Sequence, residues 1–335
     1  MKTAYAYTKE LLLKQKPAMA YDGSDLTAWQ EKARRKLREL LGMDKFIKVS
    51  PMVEIEYEKE LENATEIRFT FRTEEGYRAP AHLLLPHGVD NPPVMICLQG
   101  HSTGMHISLG RVKFEGDGNL IQGGDRDFCI RALREGFAAV ALEQRSLGES
   151  RNADSWGCQN SSMTNLIMGR TTIGERVWDV SRLMDVLQDS FADRLDTNRI
   201  CLMGHSGGGT ATAYAAALDD RLTLAMTSCA MCAFTASIGA IAHCTCNYVP
   251  HIAEYFDMDD LMAMACPTPF IQVSGLHDKD FFFHGAEAVF DKGKRAYEIA
   301  GVPEKCVFVR GEEGHRFYAD LAWPWVHRLL GTSNP

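Results

Sequence analysis

The fold is decided by one stretch of the chain, Asn198-Arg-Ile-Cys-Leu-Met-Gly-His-Ser-Gly-Gly-Gly-Thr-Ala-Thr-Ala-Tyr-Ala-Ala-Ala-Leu218. Its early part, Ile200 to Met203, is a short apolar run of the kind that forms a strand buried on both faces. Its last part, Thr210 to Leu218, is rich in alanine and predicts a helix. Because only a few glycine-rich residues join the two, the stretch predicts a strand that turns sharply into a helix.

The turn, Gly204-His-Ser-Gly-Gly208, matches the G-x-S-x-G pattern of a nucleophile elbow. Such a turn holds its central residue in a strained backbone conformation, and side chains two residues away would collide, so glycine is favoured there. The hydroxyl of Ser206 would stand above the sheet edge, close to the first N–H groups of the helix. The alternative is a glycine-rich turn with an idle serine, and the flanking strand and helix favour the nucleophile.

A serine hydroxyl is a weak nucleophile that needs a base held by an acid, and in proteins with this elbow the chain order is serine, acid, histidine. Asp278 follows the predicted strand Ile271 to Ser274, and it is the predicted acid, with Asp280 as the competing choice. His315 follows the predicted strand Val307 to Val309 in a glycine-flanked loop and is the predicted base. The other histidines downstream of the acid strand, less favourably placed, are His277, His284 and His327.

Two N–H donors are needed to stabilise the negative oxygen that forms during acyl transfer. One is expected from Gly207, directly after the nucleophile. The other is expected from the loop Gln99-Gly-His-Ser-Thr-Gly104, which follows the predicted strand Val94 to Leu98. His101 is the first candidate and Ser102 the second, although the loop could equally be a plain glycine-rich turn.

Residues 1–50 are predicted to form a helical N-terminal extension. Leu26, Trp29, Ala33 and Leu37 lie at helical spacing between Asp25 and Gly42, which predicts one amphipathic helix. The Lys and Arg residues of this segment are expected to form its solvated face.

Residues 51–335 are predicted to form one α/β catalytic domain. Alternating patterns over 52–86 predict antiparallel leading strands, and from Pro93 onward buried strands alternate with helices, which predicts a mostly parallel central sheet with helices on both faces. The further predicted strands are 94–98, 137–142, 200–203, 222–229, 270–274 and 307–309, and the predicted helices are 125–135, 172–187, 210–218, 283–300 and 321–330.

Two long connections interrupt this alternation, at 143–171 and 230–257, and such loops at the carboxyl ends of parallel strands usually build a pocket. Trp156, Phe234 and Tyr248 are the predicted substrate-binding walls, though each could be a core aromatic. Arg170 and Glu175 are candidates either for polar substrate contacts or for a buried structural ion pair.

The composition is that of a globular protein, with 45% hydrophobic and 24% charged residues. The net charge of −8 argues against nucleic acid or an anionic membrane as a partner. No apolar run reaches the roughly 18 residues of a membrane span, and the N-terminus lacks the apolar core of a signal peptide, so a cytoplasmic location is expected. A small-molecule ester is the expected partner, and a second copy of the chain in a homo-oligomer is a further candidate.

The chain has ten cysteines, several of them in predicted buried strands, where a reduced thiol acts as a small apolar residue. In a reducing compartment no structural disulfide is expected. Cys244 and Cys246 are too close in sequence for the usual zinc spacing and have no second pair, so free thiols are favoured over a metal site that includes His243.

Several segments together resemble the branch of the α/β-hydrolase superfamily known as acetyl xylan esterase-like or dienelactone hydrolase-like. The resemblance runs from about residue 77 to the C-terminus. It implies the α/β-hydrolase fold, with Ser206 as nucleophile, Asp278 as acid and His315 as base. The segments are Leu98-Gln-Gly-His-Ser-Thr-Gly104, Glu143-Gln-Arg-Ser-Leu-Gly-Glu149, Gly169-Arg-Thr-Thr-Ile-Gly-Glu-Arg-Val-Trp-Asp179, Met203-Gly-His-Ser-Gly-Gly-Gly209, His243-Cys-Thr-Cys-Asn-Tyr-Val-Pro250 and Gly314-His315.

The expected activity is hydrolysis of short-chain, foremost acetyl, esters through an acyl-enzyme, without a metal or other cofactor. Dienelactone hydrolase uses a cysteine nucleophile, and the serine at position 206 favours ordinary ester hydrolysis. An acetylated sugar as substrate is implied by the family label and not by matched pocket residues. The xylan and cephalosporin deacetylases of a neighbouring branch have a different elbow, with glutamines on both sides of their serine. The alternatives are a serine peptidase, a lactone or carbon–carbon bond hydrolase, and a binding protein without activity.

Overall fold

The computed structural model describes residues 1–151 and 157–332. Within these ranges one nine-stranded sheet has the order β1-β2-β3-β5-β4-β6-β7-β8-β9. The strands are β1 (Glu54–Glu60), β2 (Ala64–Glu74), β3 (Tyr77–Pro86), β4 (Pro93–Leu98), β5 (Ala138–Leu142), β6 (Asp196–His205), β7 (Leu222–Ser228), β8 (Phe270–Gly275) and β9 (Cys306–Gly311). The α-helices are α1 (Ala4–Lys14), α2 (Leu26–Leu40), α3 (Asp117–Gly124), α4 (Phe128–Arg134), α5 (Gln159–Ile167), α6 (Thr172–Ser190), α7 (Gly207–Leu218), α8 (Ile252–Tyr255), α9 (Met258–Ala265), α10 (Phe283–Ile299) and α11 (Ala319–Leu330).

The sheet is antiparallel at its leading edge and parallel elsewhere. β1, β2, β3 and β5 pair antiparallel in that order. All other neighbours, from β5 through β4 to β9, are parallel. Every strand predicted from the sequence is present, and the mixed sheet has the predicted arrangement.

Helices cover both faces of the sheet, as alternate residues of the central strand β4 show. Val94 and Ile96 belong to a hydrophobic cluster that includes residues of α2, α6, α7, α9 and α10. Met95 and Cys97 point to the other face and join a second cluster with residues of α4 and α11. Because both faces are buried, the strand is apolar along its whole length rather than alternating.

The predicted helices need correction around residue 125. The helix predicted over 125–135 is present as the shorter α4, Phe128–Arg134, and α3, which ends before Asp125 with its φ of 51°, was not predicted. The glycines of α3 lower its intrinsic helix propensity, which hid it in the sequence. Helices α5, α8 and α9 also have no counterpart among the predicted elements. In addition, no helix in the described ranges has the length and apolar character that crossing a bilayer requires.

The basic run of α2 is only partly a solvated face, contrary to the prediction. Arg34 donates through Nε to the carbonyl of Ala217 at 3.0 Å and through Nη2 to the carbonyl of Met264 at 2.6 Å. Arg38 donates to the carbonyl of Leu218 at 2.8 Å. These carbonyls belong to the last turns of α7 and α9, where helices leave acceptors unpaired and cations are favoured. Part of the run therefore attaches the N-terminal extension to the helix that follows Ser206.

Candidate active site

The predicted sharp turn is present between β6 and α7. Ser206 has φ 54° and ψ −122°, a backbone conformation that is unfavourable for a residue with a side chain. Its N–H donates to the carbonyl of Ser228, at the end of the neighbouring strand β7, at 2.8 Å. A hydrogen bond between adjacent strand ends therefore helps to hold the strained residue in place.

The glycines around Ser206 are required by close backbone contacts. A Cβ atom on Gly204 would lie well inside 3.0 Å of the carbonyl of Gly208, and one on Gly208 would do the same against the carbonyls of Leu98 and Gln99. A Cβ on Gly207 would lie 2.8 Å from the imidazole ring of His101. The elbow is thus packed directly against the end of β4 and the loop that follows it.

Asp278 and His315 are joined by a hydrogen bond. Oδ2 of Asp278 lies 2.9 Å from Nδ1 of His315, and its Oδ1 accepts from the N–H groups of Asp280 at 2.8 Å and Phe281 at 3.0 Å. Burial alone would raise the pKa of Asp278, but the hydrogen bonds from His315 and the two N–H groups lower it below its usual value. The carboxylate therefore stays ionised, so Nδ1 of His315 carries a proton and Nε2 is left as the base.

Asp280, the competing acid, lies farther from the same ring. Its Oδ2 is 3.9 Å from Nδ1 of His315, and its carboxylate is 57% exposed while that of Asp278 is fully buried. The main chain of Asp280 serves Asp278 instead, through the N–H described above. Of the other histidines, His327 is buried and pairs with Glu135 at 2.9 Å, so its role is structural.

The loops that carry the acid and the base are joined to each other by main-chain hydrogen bonds. The N–H of Leu276 donates to the carbonyl of Gly311, and that of His277 to the carbonyl of Glu313, both at 2.8 Å. A Cβ on Gly275 would collide with the carbonyl of Gly314. Because neither loop can move without the other, the distance between Asp278 and His315 is set by the sheet.

The ring of His315 lies next to two other aromatic rings. Its centroid lies 4.7 Å from that of His205 and 6.0 Å from that of Phe281, to which it is nearly parallel. Burial, assisted by the charge of Arg126, lowers the pKa of His205 far below its usual value, so this ring is neutral. No role was predicted for His205, and its only signal in the sequence is a polar residue at the end of an apolar strand.

Among the described residues, no hydrogen bond joins Ser206 to the ring of His315. Such contacts are often loose in proteins without substrate and tighten only when substrate binds. The structure therefore brings the acid and the base together. The elbow lies next to them, because the ring of His205, which directly precedes Ser206, contacts the ring of His315.

The two predicted donors for a negative oxygen are also adjacent. Gly207 is the first residue of α7, and its N–H has no acceptor among the described residues. Within residues 1–151 and 157–332, the backbone N–H groups of His101 and Ser102 have no acceptor either. A Cβ on Gly100 would lie 2.8 Å from that of Ser206, so this loop is next to the nucleophile. Both His101 and Ser102 remain candidates for the second donor.

Glu143 joins this loop to the first long connection, a role that was not predicted. The carboxylate follows β5, is buried, and accepts the N–H of Met105 at 3.2 Å and that of Glu149 at 3.1 Å. Gly104 and Gly148, both with positive φ, lie directly against it. Burial raises the pKa of Glu143 to about 7, although both N–H groups act in the opposite direction. The only sign of this role in the sequence is the pair of glycines, Gly104 and Gly148, that allow the backbone to approach the carboxylate.

The predicted pocket residues have different outcomes. Trp156 lies outside the described residues. Phe234 and Tyr248 line a cavity of about 380 Å³ together with Leu11 and Leu12 of α1, and the lining of this cavity does not include Ser206, Asp278 or His315. Their contact with substrate stays a prediction.

The Arg170–Glu175 ion pair is present. Nη2 of Arg170 lies 3.1 Å from Oε1 of Glu175. Both residues also pair with further charged side chains, Arg170 with Glu74 and Glu175 with Arg145. This network favours the structural alternative for Arg170 and Glu175.

Comparison with known proteins is consistent with this architecture. YtaP of Bacillus subtilis (strain 168), provisionally named a hydrolase, is 25% identical over 247 residues, which cover 71% of this chain and 78% of that protein. A structure from Bacteroides fragilis NCTC 9343, provisionally assigned as an acetyl xylan esterase, has a TM-score of 0.83 at 16% identity and covers 98% of this chain and 95% of that one. A glucuronoyl esterase from Solibacter usitatus has a TM-score of 0.70 at 15% identity, covering 95% and 98%.

The sheet order, the elbow and these structural similarities are those of the α/β-hydrolase fold, as the resemblance implied. The sequence model of the Abhydrolase family matches residues 2–321. The chain therefore belongs to the Abhydrolase family.

The contact of Gly208 with the carbonyls after β4 generates a stability prediction. Gly208→Ala should lower the free energy of unfolding by about 1–3 kcal/mol, because the added methyl collides with rigid backbone. Gly123→Ala is the control, since a Cβ there meets nothing within 4 Å and alanine favours the helix α3. Urea unfolding followed by circular dichroism gives both values. Equal stability of Gly208→Ala and the wild type would contradict the proposed packing.

The raised pKa of Glu143 generates a pH prediction. The folded protein holds this proton more tightly than the unfolded chain, so stability falls as pH rises from the unfolded pKa of 4.5 towards 7. Between pH 5 and pH 7 the wild type should lose about 2 kcal/mol more than Glu143→Gln.

Urea unfolding of both proteins at these two pH values measures the difference, and other titrating groups cancel because both proteins contain them. Identical pH dependence of the two proteins would show that Glu143 titrates normally.

Proposed function

We propose that the protein is a serine carboxylesterase that hydrolyses short-chain esters, foremost acetyl esters of carbohydrates. The observation that carries the proposal is the hydrogen bond between buried Asp278 and His315 beside the strained elbow of Ser206. An ionised acid, a base with a free Nε2 and a serine on a nucleophile elbow are the parts that acyl transfer requires.

The mechanism has two acyl-transfer steps. Nε2 of His315 takes the proton of Ser206 while the hydroxyl oxygen attacks the ester carbonyl. The resulting negative oxygen is stabilised by the N–H groups of Gly207 and of His101 or Ser102. His315 then protonates the leaving alcohol, and the same base activates a water that releases the acid from Ser206. Asp278 stabilises the imidazolium throughout, and no metal or cofactor takes part in these steps.

The choice of substrate is supported by similarity to proteins whose names assign them to carbohydrate esters. These proteins include the structure from Bacteroides fragilis that is provisionally assigned as an acetyl xylan esterase, and the glucuronoyl esterase from Solibacter usitatus. In the first class the sugar is the alcohol, and in the second it belongs to the acid. Acetyl esters are preferred here because the first of these structures is the more similar, with a TM-score of 0.83 against 0.70.

The acyl preference is testable with p-nitrophenyl acetate, butyrate and octanoate. The wild type should have its highest kcat/KM with acetate, and Ser206→Ala should lose about 10⁴-fold or more of kcat because the nucleophile is missing. Acetylated xylose and a methyl glucuronate should then be compared directly. Equal trace rates in both proteins would refute the esterase proposal, and peptide or lactone turnover that depends on Ser206 would favour the corresponding alternative.

The choice of acid is testable with two matched variants. Asp278→Asn should lower kcat for p-nitrophenyl acetate by about 10⁴-fold, because the base loses its orientation and the charge that stabilises the imidazolium. Asp280→Asn keeps the main-chain N–H to Asp278 and should stay within a few-fold of the wild type. The reverse ranking, measured at a pH where both variants are folded, would assign the role to Asp280.

A further inference from the structure

Four potential metal ligands meet beside the elbow, although they come from three separate loops. The imidazole of His101 follows β4, Cys158 precedes α5 in the first long connection, and Cys244 and Cys246 lie in the second. One ligand atom from each residue lies within 4.8 Å of each of the others. We call these four residues the thiol cluster. Its fourth partner is His101 rather than His243, which instead contacts Ser237 and the carbonyl of Asp280.

The separations within the thiol cluster are close to those of a tetrahedral zinc site. Nε2 of His101 lies 3.1 Å from Sγ of Cys246, and the sulfur atoms of Cys246 and Cys244 are 3.4 Å apart. Zinc bonds of about 2.3 Å to sulfur and 2.0–2.1 Å to nitrogen give ligand separations of about 3.5–3.8 Å in a tetrahedron. The remaining separations are at most 4.8 Å, so shifts of no more than about 1 Å would place all four atoms around one ion.

A buried cation next to the thiol cluster indicates that the cluster carries negative charge. Arg176, which is 1% exposed, lies 3.2 Å from Sγ of Cys158 and 3.4 Å from Sγ of Cys246. Its other described contacts are to the carbonyl of Arg145, and no carboxylate of the described residues lies within 4.0 Å of its nitrogens. A buried guanidinium without an anionic partner is strongly unfavourable.

We propose that His101, Cys158, Cys244 and Cys246 bind one Zn²⁺ ion, with Arg176 donating hydrogen bonds to two of the sulfur ligands. Three thiolates and a neutral imidazole around Zn²⁺ carry one net negative charge, which the single positive charge of Arg176 balances. Three sulfurs and one imidazole nitrogen are a ligand set that favours zinc, and four protein ligands leave no position open, so the site is structural. Zinc binding displaces the protons of the thiols that are not yet ionised.

The proposed site would connect the three loops that surround the elbow. The side chain of His101 would bind the ion while its ring packs against Gly207, so the ion would fix the loop that carries one candidate donor for the negative oxygen. The spacing of Cys244 and Cys246 hid the site in the sequence, because their partners lie about 90 and 140 residues upstream rather than in a second nearby pair. The zinc site is independent of the proposed ester hydrolysis, because its test measures bound metal and not activity.

The test is metal analysis of the full chain, purified under reducing conditions without chelator. The wild type should contain about one zinc per chain, and Cys158→Ser, Cys244→Ser and Cys246→Ser should each fall below about 0.1. Cys306→Ser, which changes a buried thiol of β9 outside the thiol cluster, is the matched control and should keep its zinc. Loss of zinc in the control together with the cluster variants would indicate general unfolding and overturn the assignment, as would equal zinc in all five proteins.

A second measurement keeps the proposal testable if the cysteine variants do not fold. Metal-free wild type should bind Co²⁺ and develop the visible bands of a tetrahedral ion with a near-ultraviolet sulfur-to-cobalt band, and Zn²⁺ should displace it. Absence of bound zinc together with absence of these bands would overturn the proposal. A disulfide between two cysteines of the thiol cluster, found by mass spectrometry in protein purified under reducing conditions, would also overturn it.

Discussion

The active-site geometry depends on one strained residue, Ser206, held where β6 turns into α7. Its φ of 54° is unfavourable for a serine, and the surroundings must supply what keeps it there. They do so through the hydrogen bond to the end of β7, through glycines that let α7 approach the end of β4, and through two arginines of α2 at the far end of the same helix. The strain is thus supported by the sheet and by the N-terminal extension together.

The same rigidity extends to the other candidate catalytic groups. Asp278 and His315 sit on loops that are joined by main-chain hydrogen bonds, so their separation follows from the pairing of β8 with β9. On the other side of the elbow, the carboxylate of Glu143 binds the loop after β4 to the first long connection. The candidate catalytic groups therefore lie on loops, but each loop is fixed by contacts at the carboxyl end of the sheet, where α/β proteins build their sites.

Sequence patterns predicted the parts of the fold that local physics controls. Apolar runs predicted the parallel strands from β4 onward, because burial on both faces leaves little room for polar residues, and alternating patterns predicted the leading strands β1 to β3. The glycines at 204 and 208 predicted the turn. The sequence favoured Asp278 over Asp280 only through its position after the strand, and the structure shows which carboxylate is buried against the imidazole. Helix α3 was missed because its glycines weaken the local signal, and the roles of Glu143, His205 and Arg34 depend on contacts between distant segments.

In the proposed mechanism, Ser206 is the residue that attacks the substrate. The most direct measurement is to treat the protein with a fluorophosphonate, which forms a stable bond with an activated serine, and to locate the added mass by peptide mapping. We expect one phosphonyl group per chain, on Ser206, formed rapidly in the wild type and slowly in Asp278→Asn. Labelling of another residue, or no labelling of folded protein, would contradict it.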